Sequence, residues 1–322
     1  MNEQFHPGRV SIVIPAYKAD QYLAETLDTI ALQDHTDWEV IVIEDASTGR
    51  TEGIVRDFAK RHPERRVEYF RHMVNQGPSA TRNTAFTHVQ GEFVAFLDAD
   101  DLWTRDQLSE SLKALAASGA DVAYSASVMF EHDTGHLVWI WGPTKEEREG
   151  FPNALVDRNF ITPSSVVMRR TVLDRAGDFD TSFRTCEDLD YWLRCVSVGV
   201  RFVCVAGCHC MYRKGDPGAA TSKLNRITVD FTKVLEKHWG MEAIPIDVQK
   251  VYLRKQYLVA ARWNTQEPRV AFAMLWKGIR VSPYKLDRAV LRASYDVFLS
   301  AVRKLATKLV RFPSLFVKRG AL

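Results

Sequence analysis

Through the first 125 residues, short, mostly apolar runs alternate with stretches whose apolar residues return every three or four positions. Residues 10–14 form a β-branched run of the kind found in strands buried on both faces. Residues 39–43, 67–70, 93–97 and 122–125 read as further strands. Between them, a helix is expected from about Asp20, a candidate N-cap, with Leu23, Leu27, Ile30 and Ala31 on one face. Further helices are expected over 53–61, stopped before Pro63, over 78–89, with proline in the first turn, and over 104–117. Strands separated by helices of this length predict an α/β fold, a mainly parallel sheet flanked by helices.

The later pattern changes character. Residues 131–152 are polar and rich in charge, as in a loop or edge hairpin, and a strand resumes over 165–168. Residues 187–198 make an amphipathic helix with Leu189, Trp192, Leu193 and Val196 as its stripe. A strand is expected over 201–211, and a loop over 214–222 around Gly215, Pro217 and Gly218. From about residue 226 onward the pattern is helical. The expected organisation is an α/β domain over 1–225 and a helical C-terminal region over 226–322, with no internal repeat.

Composition changes this picture in two places. The apolar and charged fractions, 46% and 26%, are those of a soluble globular protein. No apolar stretch approaches the roughly 18 residues of a membrane span, and the N-terminus lacks a signal-peptide layout, so a cytoplasmic location is expected. The net charge of +3 is unevenly spread: residues 251–322 hold 15 Lys/Arg against 3 Asp/Glu, a balance of +12, which leaves −9 for the first 250. A basic tail on an acidic body suggests that the tail meets an anionic surface. The five cysteines, at 186, 195, 204, 208 and 210, are an odd count that favours free thiols. Cys204, Cys208, His209 and Cys210 superficially resemble a metal cluster, but neighbours on a strand point to opposite faces, which favours a structural reading.

Candidate chemistry gathers where strands should end, and in a doubly wound sheet ligands bind beyond the carboxyl ends of the strands. Three polar clusters fall there: Pro15-Ala16-Tyr17-Lys18, Glu44-Asp45-Ala46-Ser47 and Asp98-Ala99-Asp100-Asp101. Asp98 and Asp100, two apart in an extended segment, face one side and repel unless a cation lies between them. Hard oxygen ligands in small number suit Mg²⁺ or Mn²⁺ carrying a diphosphate. The competing reading is that these aspartates cap the helix expected near Thr104. Tyr17 offers a ring face to a planar base, a stacking worth about 1–3 kcal/mol, and Asp45 an acceptor for a base or ribose. No glycine-rich turn follows the first strand, which disfavours dinucleotide binding. Arg82 near a helix N-terminus is a candidate for holding the donor's base or diphosphate, or else a surface salt bridge. In Cys186-Glu187-Asp188-Leu189-Asp190, the acids either complement a helix dipole or supply a general base.

In this order and at this spacing, the motifs resemble the inverting family-2 glycosyltransferases of the GT-A fold, over about residues 10–212. The set comprises Ile14-Pro15-Ala16-Tyr17, Glu44-Asp45-Ala46-Ser47, Asn75 to Arg82-Asn83, Asp98-Ala99-Asp100-Asp101, and Glu187-Asp188 followed by Trp192-Leu193-Arg194. The resemblance implies that Tyr17 and Asp45, with Pro15 beside them, bind the base. It implies that Asp98 and Asp100 hold ribose and metal, and that Asp188 is the catalytic base with Glu187 supporting it on the acceptor side. A metal-dependent transfer of a single sugar from a nucleotide sugar, UDP-sugar favoured, to a glycan or lipid-linked glycan hydroxyl follows from it, as in bacterial surface polysaccharide or glycolipid assembly. Three departures stand out. Glu44 replaces a usual aspartate, Thr81 replaces a frequent alanine, and Val259 stands where processive members have the glutamine of Gln-x-x-Arg-Trp before Arg262-Trp263. The alternative from another class is a non-catalytic sugar-nucleotide-binding or scaffold protein of the same fold, which has no use for Asp188.

In the tail, Leu291, Tyr295, Phe298, Val302, Leu305 and Leu309 recur at helical spacing, amid Arg288, Arg292, Arg303, Lys304, Lys308 and Arg311. Such a helix lies peripherally on the inner face of an anionic membrane, or packs its stripe on the catalytic domain or a second subunit. No nucleic-acid module is recognisable, so no nucleic-acid partner is expected.

Overall fold

The computed structural model describes residues 6–214, 224–283 and 287–310, with side chains as far as residue 304. The chain divides into two compact units, Met1–Ser222 with Met241–Ala243, and Lys223–Gly240 with Ile244–Leu322. The loop expected over 214–222 and the residues after 310 lie almost wholly outside the described residues.

The first unit is built on a nine-stranded mixed sheet. Its elements are β1 (His6–Ala16), α1 (Leu23–Ala31), β2 (Trp38–Glu44), α2 (Thr51–Arg61), β3 (Val67–Arg71), α3 (Pro78–Phe86), β4 (Gly91–Phe96), β5 (Leu102–Trp103), α4 (Gln107–Ser118), β6 (Val122–Glu131), β7 (Leu137–Trp141), α5 (Lys145–Glu149), β8 (Val166–Arg169), α6 (Thr171–Ala176), α7 (Glu187–Ser197) and β9 (Phe202–Lys214). The order is β3-β2-β1-β4-β8-β6-β9-β5, with β7 on β6. β3, β2, β1 and β4 are parallel, whereas β8 runs antiparallel to both β4 and β6. All seven residues of β2 are buried, as its apolar run predicts. On one face, Val10, Ile12, Ile14, Val40, Val42 and Ala95 pack with Leu23, Leu27 and Ile30 of α1, Phe58 of α2, and Leu108 and Leu115 of α4. On the other, Phe96 meets Phe86, Phe179 and Trp192 edge to face.

Several local expectations are corrected. Asp20 does not cap α1, whose N-cap position is Tyr22. Its carboxylate instead accepts from the Arg50 N–H (2.8 Å) and the Thr51 hydroxyl (3.1 Å), so it closes the start of α2. Gly49 makes room for it, since a Cβ there would stand 2.1 Å from Asp20 Oδ2. The helix expected from 104 begins at Gln107 after Asp106, and the two-residue β5 precedes it. The acidic tetrad therefore does not cap α4. The polar stretch 131–152 contains the β6–β7 hairpin and also α5, whose start is a capping box between Thr144 and Glu147.

The second unit is helical: α8 (Leu224–Lys237), α9 (Ile246–Trp263), α10 (Pro268–Val281) and α11 (Arg288–Val310). Leu258, Ala261, Ala271, Leu275, Val290, Ala293 and Val297 form its core. Among the described residues, no helix is long and apolar enough to cross a membrane.

Asp20→Ala removes the acceptor at the start of α2. The expected loss is about 1 kcal/mol of unfolding free energy, read by denaturant titration. An unchanged midpoint would remove Asp20 from this capping role.

Candidate active site

Because β1, β2 and β4 are parallel, their carboxyl ends reach the same rim. The Asp45 N–H continues the ladder to Ala16 O (2.8 Å), and the Leu97 N–H bonds Val13 O (3.1 Å). Asp98 and the segment after it emerge beside the end of β1. Among the described residues, three non-glycine residues adopt the left-handed conformation, Lys18, Ala46 and Cys186. They follow β1, follow β2 and precede α7, all within the candidate motifs, and such strain gathers at functional sites.

The acidic tetrad crosses the rim from β4 to β5 and is anchored on both sides. Ser164 stands just before β8. Its hydroxyl donates to Asp101 Oδ2 (2.5 Å) and accepts from the Asp98 N–H (3.0 Å). Asp101 Oδ1 accepts the Arg213 N–H from β9 (3.1 Å), and Arg213 Nε donates to Asp100 O (2.8 Å). Asp101 is fully enclosed. Burial, together with the charges of Asp100 and Asp98, holds its carboxyl well above the usual range. Asp98 and Asp100 remain partly exposed.

Arg82 of α3 links this segment to the other acidic motif. It is only 2% exposed, so the surface salt bridge weighed above is a buried one. One terminal amino group donates to Asp98 Oδ1 (2.8 Å) and the other to Glu187 Oε1 (2.9 Å). The ring of Phe179 lies 5.4 Å from the guanidinium carbon. With an acid at each end, Arg82 holds its proton even more firmly than a free arginine despite its burial. It does not stand open as a cation awaiting a donor diphosphate.

Glu187 and Asp188 open α7. Asp188 is partly buried. Its Oδ2 accepts from Asn159 Nδ2 (2.7 Å), and its Oδ1 from the N–H of Leu189 (2.8 Å). Burial, reinforced by the charge of Glu187, pushes its carboxyl up to about 7 against those hydrogen bonds and Arg82. The acid that dipole stabilisation alone would favour thus sits in a setting that makes it basic near neutral pH.

Just past the end of β1, Tyr17 is 51% exposed with the Lys18 ammonium 5.2 Å from its ring, and Pro15 is the penultimate residue of that strand. Asp45 is buried. Its oxygens accept from the N–H groups of Gln76 (2.8 Å) and Gly77 (2.7 Å), and its Oδ1 lies 2.9 Å from His72 Nδ1. Part of its acceptor capacity therefore orders residues 75–77. Glu44 faces Ser47 and Tyr69 rather than open solvent. Thr81 is accommodated, its hydroxyl donating to Gly77 O (2.7 Å).

Sequence reasoning missed Ser164, Arg213, Asn159 and His72. Each acts through a contact at least 27 residues away in the chain, and none lies in a recognisable motif. The cysteine-rich strand is a strand, with Cys204, Cys208 and Cys210 paired to β6. His209 on it is tied to Asp106 (3.0 Å) and Ala206 O (2.8 Å). Among the described residues no three ligand-type side chains close on one point. Two partly exposed carboxylates beside an enclosed third nonetheless fit a hard cation that takes its remaining ligands from a diphosphate and water.

Several known proteins resemble this chain in sequence or in fold. TuaG of Bacillus subtilis, named for teichuronic acid biosynthesis, is 29% identical over 218 residues, 66% of this chain and 82% of its own length. WfgD of Escherichia coli, a UDP-Glc:α-D-GlcNAc-diphosphoundecaprenol β-1,3-glucosyltransferase, is 23% identical over 258 residues, 78% and 92% of the two chains. Several other relatives are far longer, and the chain spans 31%, 30% and 26% of three of them. The structure of S. aureus TarS 1–349 with UDP-GlcNAc superposes with a TM-score of 0.68 at 18% identity, covering 93% of this chain and 92% of that one. The mannosyltransferase PcManGT of Pyrobaculum calidifontis, with GDP-Man and Mn²⁺, gives 0.59 at 24% identity, covering 93% and 88%. Both likenesses show the GT-A-like fold. The sequence model of glycosyl transferase family 2 matches residues 11–177, over half of the chain, and the chain belongs to that family.

Proposed function

We propose that this glycosyltransferase moves one sugar from a nucleoside diphosphate sugar, a UDP-sugar in the favoured case, to a hydroxyl of a glycan or lipid-linked glycan, with inversion. The observation that carries this reading is the double engagement of Arg82. It holds Asp98, on the donor side, and Glu187, next to the candidate base, within 2.9 Å of one guanidinium. Arg82 then serves as a positioning residue that brings two halves of a site together. UDP-GlcNAc in TarS and the lipid diphosphate acceptor named for WfgD support the donor and acceptor classes. TuaG and WfgD support a place in bacterial surface polymer assembly.

In this reading Asp188 takes the proton of the acceptor hydroxyl. That oxygen bonds to the anomeric carbon from the side opposite the leaving group. The carbon–oxygen bond to the diphosphate breaks, and the nucleoside diphosphate departs with the electron pair. Asn159 and the Leu189 N–H orient the carboxylate, while burial keeps it basic enough to accept the proton. Tyr17 and Pro15 flank the base, and Asp45 accepts from base or ribose with the capacity left by residues 76 and 77. Mn²⁺ or Mg²⁺ held by Asp100 and Asp98 would supply charge compensation for the departing diphosphate.

Asp188→Asn lowers turnover on the order of 10³-fold while leaving the dissociation constant for UDP-sugar unchanged, measured by radiolabel transfer and calorimetry. Near-normal turnover would remove Asp188 as base. The base works deprotonated, so kcat/KM falls about tenfold per unit below about pH 7 and is level above it. A profile flat from about pH 5 to 9 contradicts that role. Thermal shifts with UDP or GDP, each with and without Mn²⁺, identify the donor base. Asp100→Ala abolishes the metal-dependent part of the shift, and an equal shift in wild type and variant would refute the metal assignment.

A further inference from the structure

Of the amphipathic stripe foreseen in the tail, Leu291, Tyr295, Phe298 and Val302 lie on α11 but not on the face that packs, while the side chains of Leu305, Leu309 and Lys308 lie outside the described residues. α11 enters the core of the helical unit through Val290, Ala293 and Val297, against Leu258, Ala261, Ala271 and Leu275. Leu291, Tyr295, Phe298 and Val302, spaced i, i+4, i+7 and i+11, lie on a separate face and are 63%, 63%, 65% and 45% exposed. One helix thus carries two apolar faces, and among the described residues only one of them is covered. A contiguous exposed apolar stripe of this kind marks an interaction surface.

The charges say what covers it. α11 bears Arg288, Arg292, Arg303, Lys304 and Lys308 against the single acid Asp296, and Asp296 is already paired with Arg262 (2.8 Å). Arg288, Arg292 and Arg303 are exposed, and at 100° per residue they follow one border of the stripe. A second copy laid on this face would bring like charges together, whereas an anionic bilayer attracts them, about fivefold in affinity for each basic residue at the surface. Exposed aromatic rings, which favour a lipid–water interface, are plentiful in the same unit: Tyr295 and Phe298 on α11, Phe272 and Trp276 on α10, and Trp263 at the end of α9.

We propose that the exposed face of α11 docks on an anionic lipid bilayer, with Leu291, Tyr295, Phe298 and Val302 entering the acyl boundary and Arg288, Arg292 and Arg303 meeting lipid phosphates. Docking of this kind scales with the apolar area buried plus the attraction to anionic lipid. It rests on the helical unit alone and is independent of the donor chemistry proposed above.

The test sediments the full chain with vesicles of equimolar phosphatidylglycerol and phosphatidylcholine, and with phosphatidylcholine alone. The wild type binds the first and not the second, and about 1 M salt, which cuts the screening length to about 3 Å, releases it. Tyr295→Ser with Phe298→Ser lowers the partition coefficient at least about tenfold, and Arg292→Gln about fivefold. All these side chains are exposed, so far-UV circular dichroism and UDP-dependent thermal shifts stay as in the wild type. Equal sedimentation of wild type and the Tyr295/Phe298 variant overturns the proposal, as does a wild type that binds neither vesicle. A dimer in light scattering that Phe298→Ser converts to monomer assigns the stripe to a second copy and overturns it equally.

Discussion

A guanidinium with almost no access to water has to spend its charge on fixed partners. Arg82 spends it on two carboxylates that the chain delivers from different places, Asp98 sixteen residues on and Glu187 a hundred and five residues on. Removing one partner of a buried pair typically costs about 3–5 kcal/mol, because the other charge is left without compensation. α3, the end of β4 and the start of α7 are therefore mutually constrained, and the rest of the rim is arranged about them. Ser164 and Arg213 hold the far side of the acidic segment, and Asn159 fixes the acid that follows Glu187. Two acidic motifs far apart in the chain are thus held in one place by a single buried side chain.

The parallel half of the sheet was legible because a strand buried on both faces has to be almost wholly apolar, and residues 10–14 and 39–43 are so except for Ser11 and Glu39, which bond to each other. Asp20 was legible as a cap but not as the cap of the right helix. A side-chain oxygen at a loop's end can close whichever helix start the fold brings near, and Gly49 admits it to α2. The rim residues that came from motifs, Tyr17, Asp98, Asp100 and Asp188, were legible because their spacing is local. Ser164, Asn159, His72 and Arg213 were not, since a lone polar residue in a loop or strand carries no period and its partner is known only once the chain has folded.

The tail shows the same limit in a different form. The large residues of α11 announce an apolar stripe, and periodicity finds it without difficulty. The face that packs is marked by Val290, Ala293 and Val297, smaller side chains that let helices approach closely. Size drew attention to the surface that the described residues leave uncovered.

The left-handed backbone of Lys18, Ala46 and Cys186 has a consequence for how this chain can change. Each holds a Cβ where glycine or asparagine would sit more comfortably, at about 1–3 kcal/mol apiece. Directed evolution that rewards heat resistance alone would drift toward those easier residues. The substitutions would relax the turns after β1 and β2 and the entry to α7 together, so variants that tolerate more heat would be those whose rim has become less defined. Thermal robustness and the sharpness of the rim are thus opposed in this protein, and the opposition is concentrated in three residues.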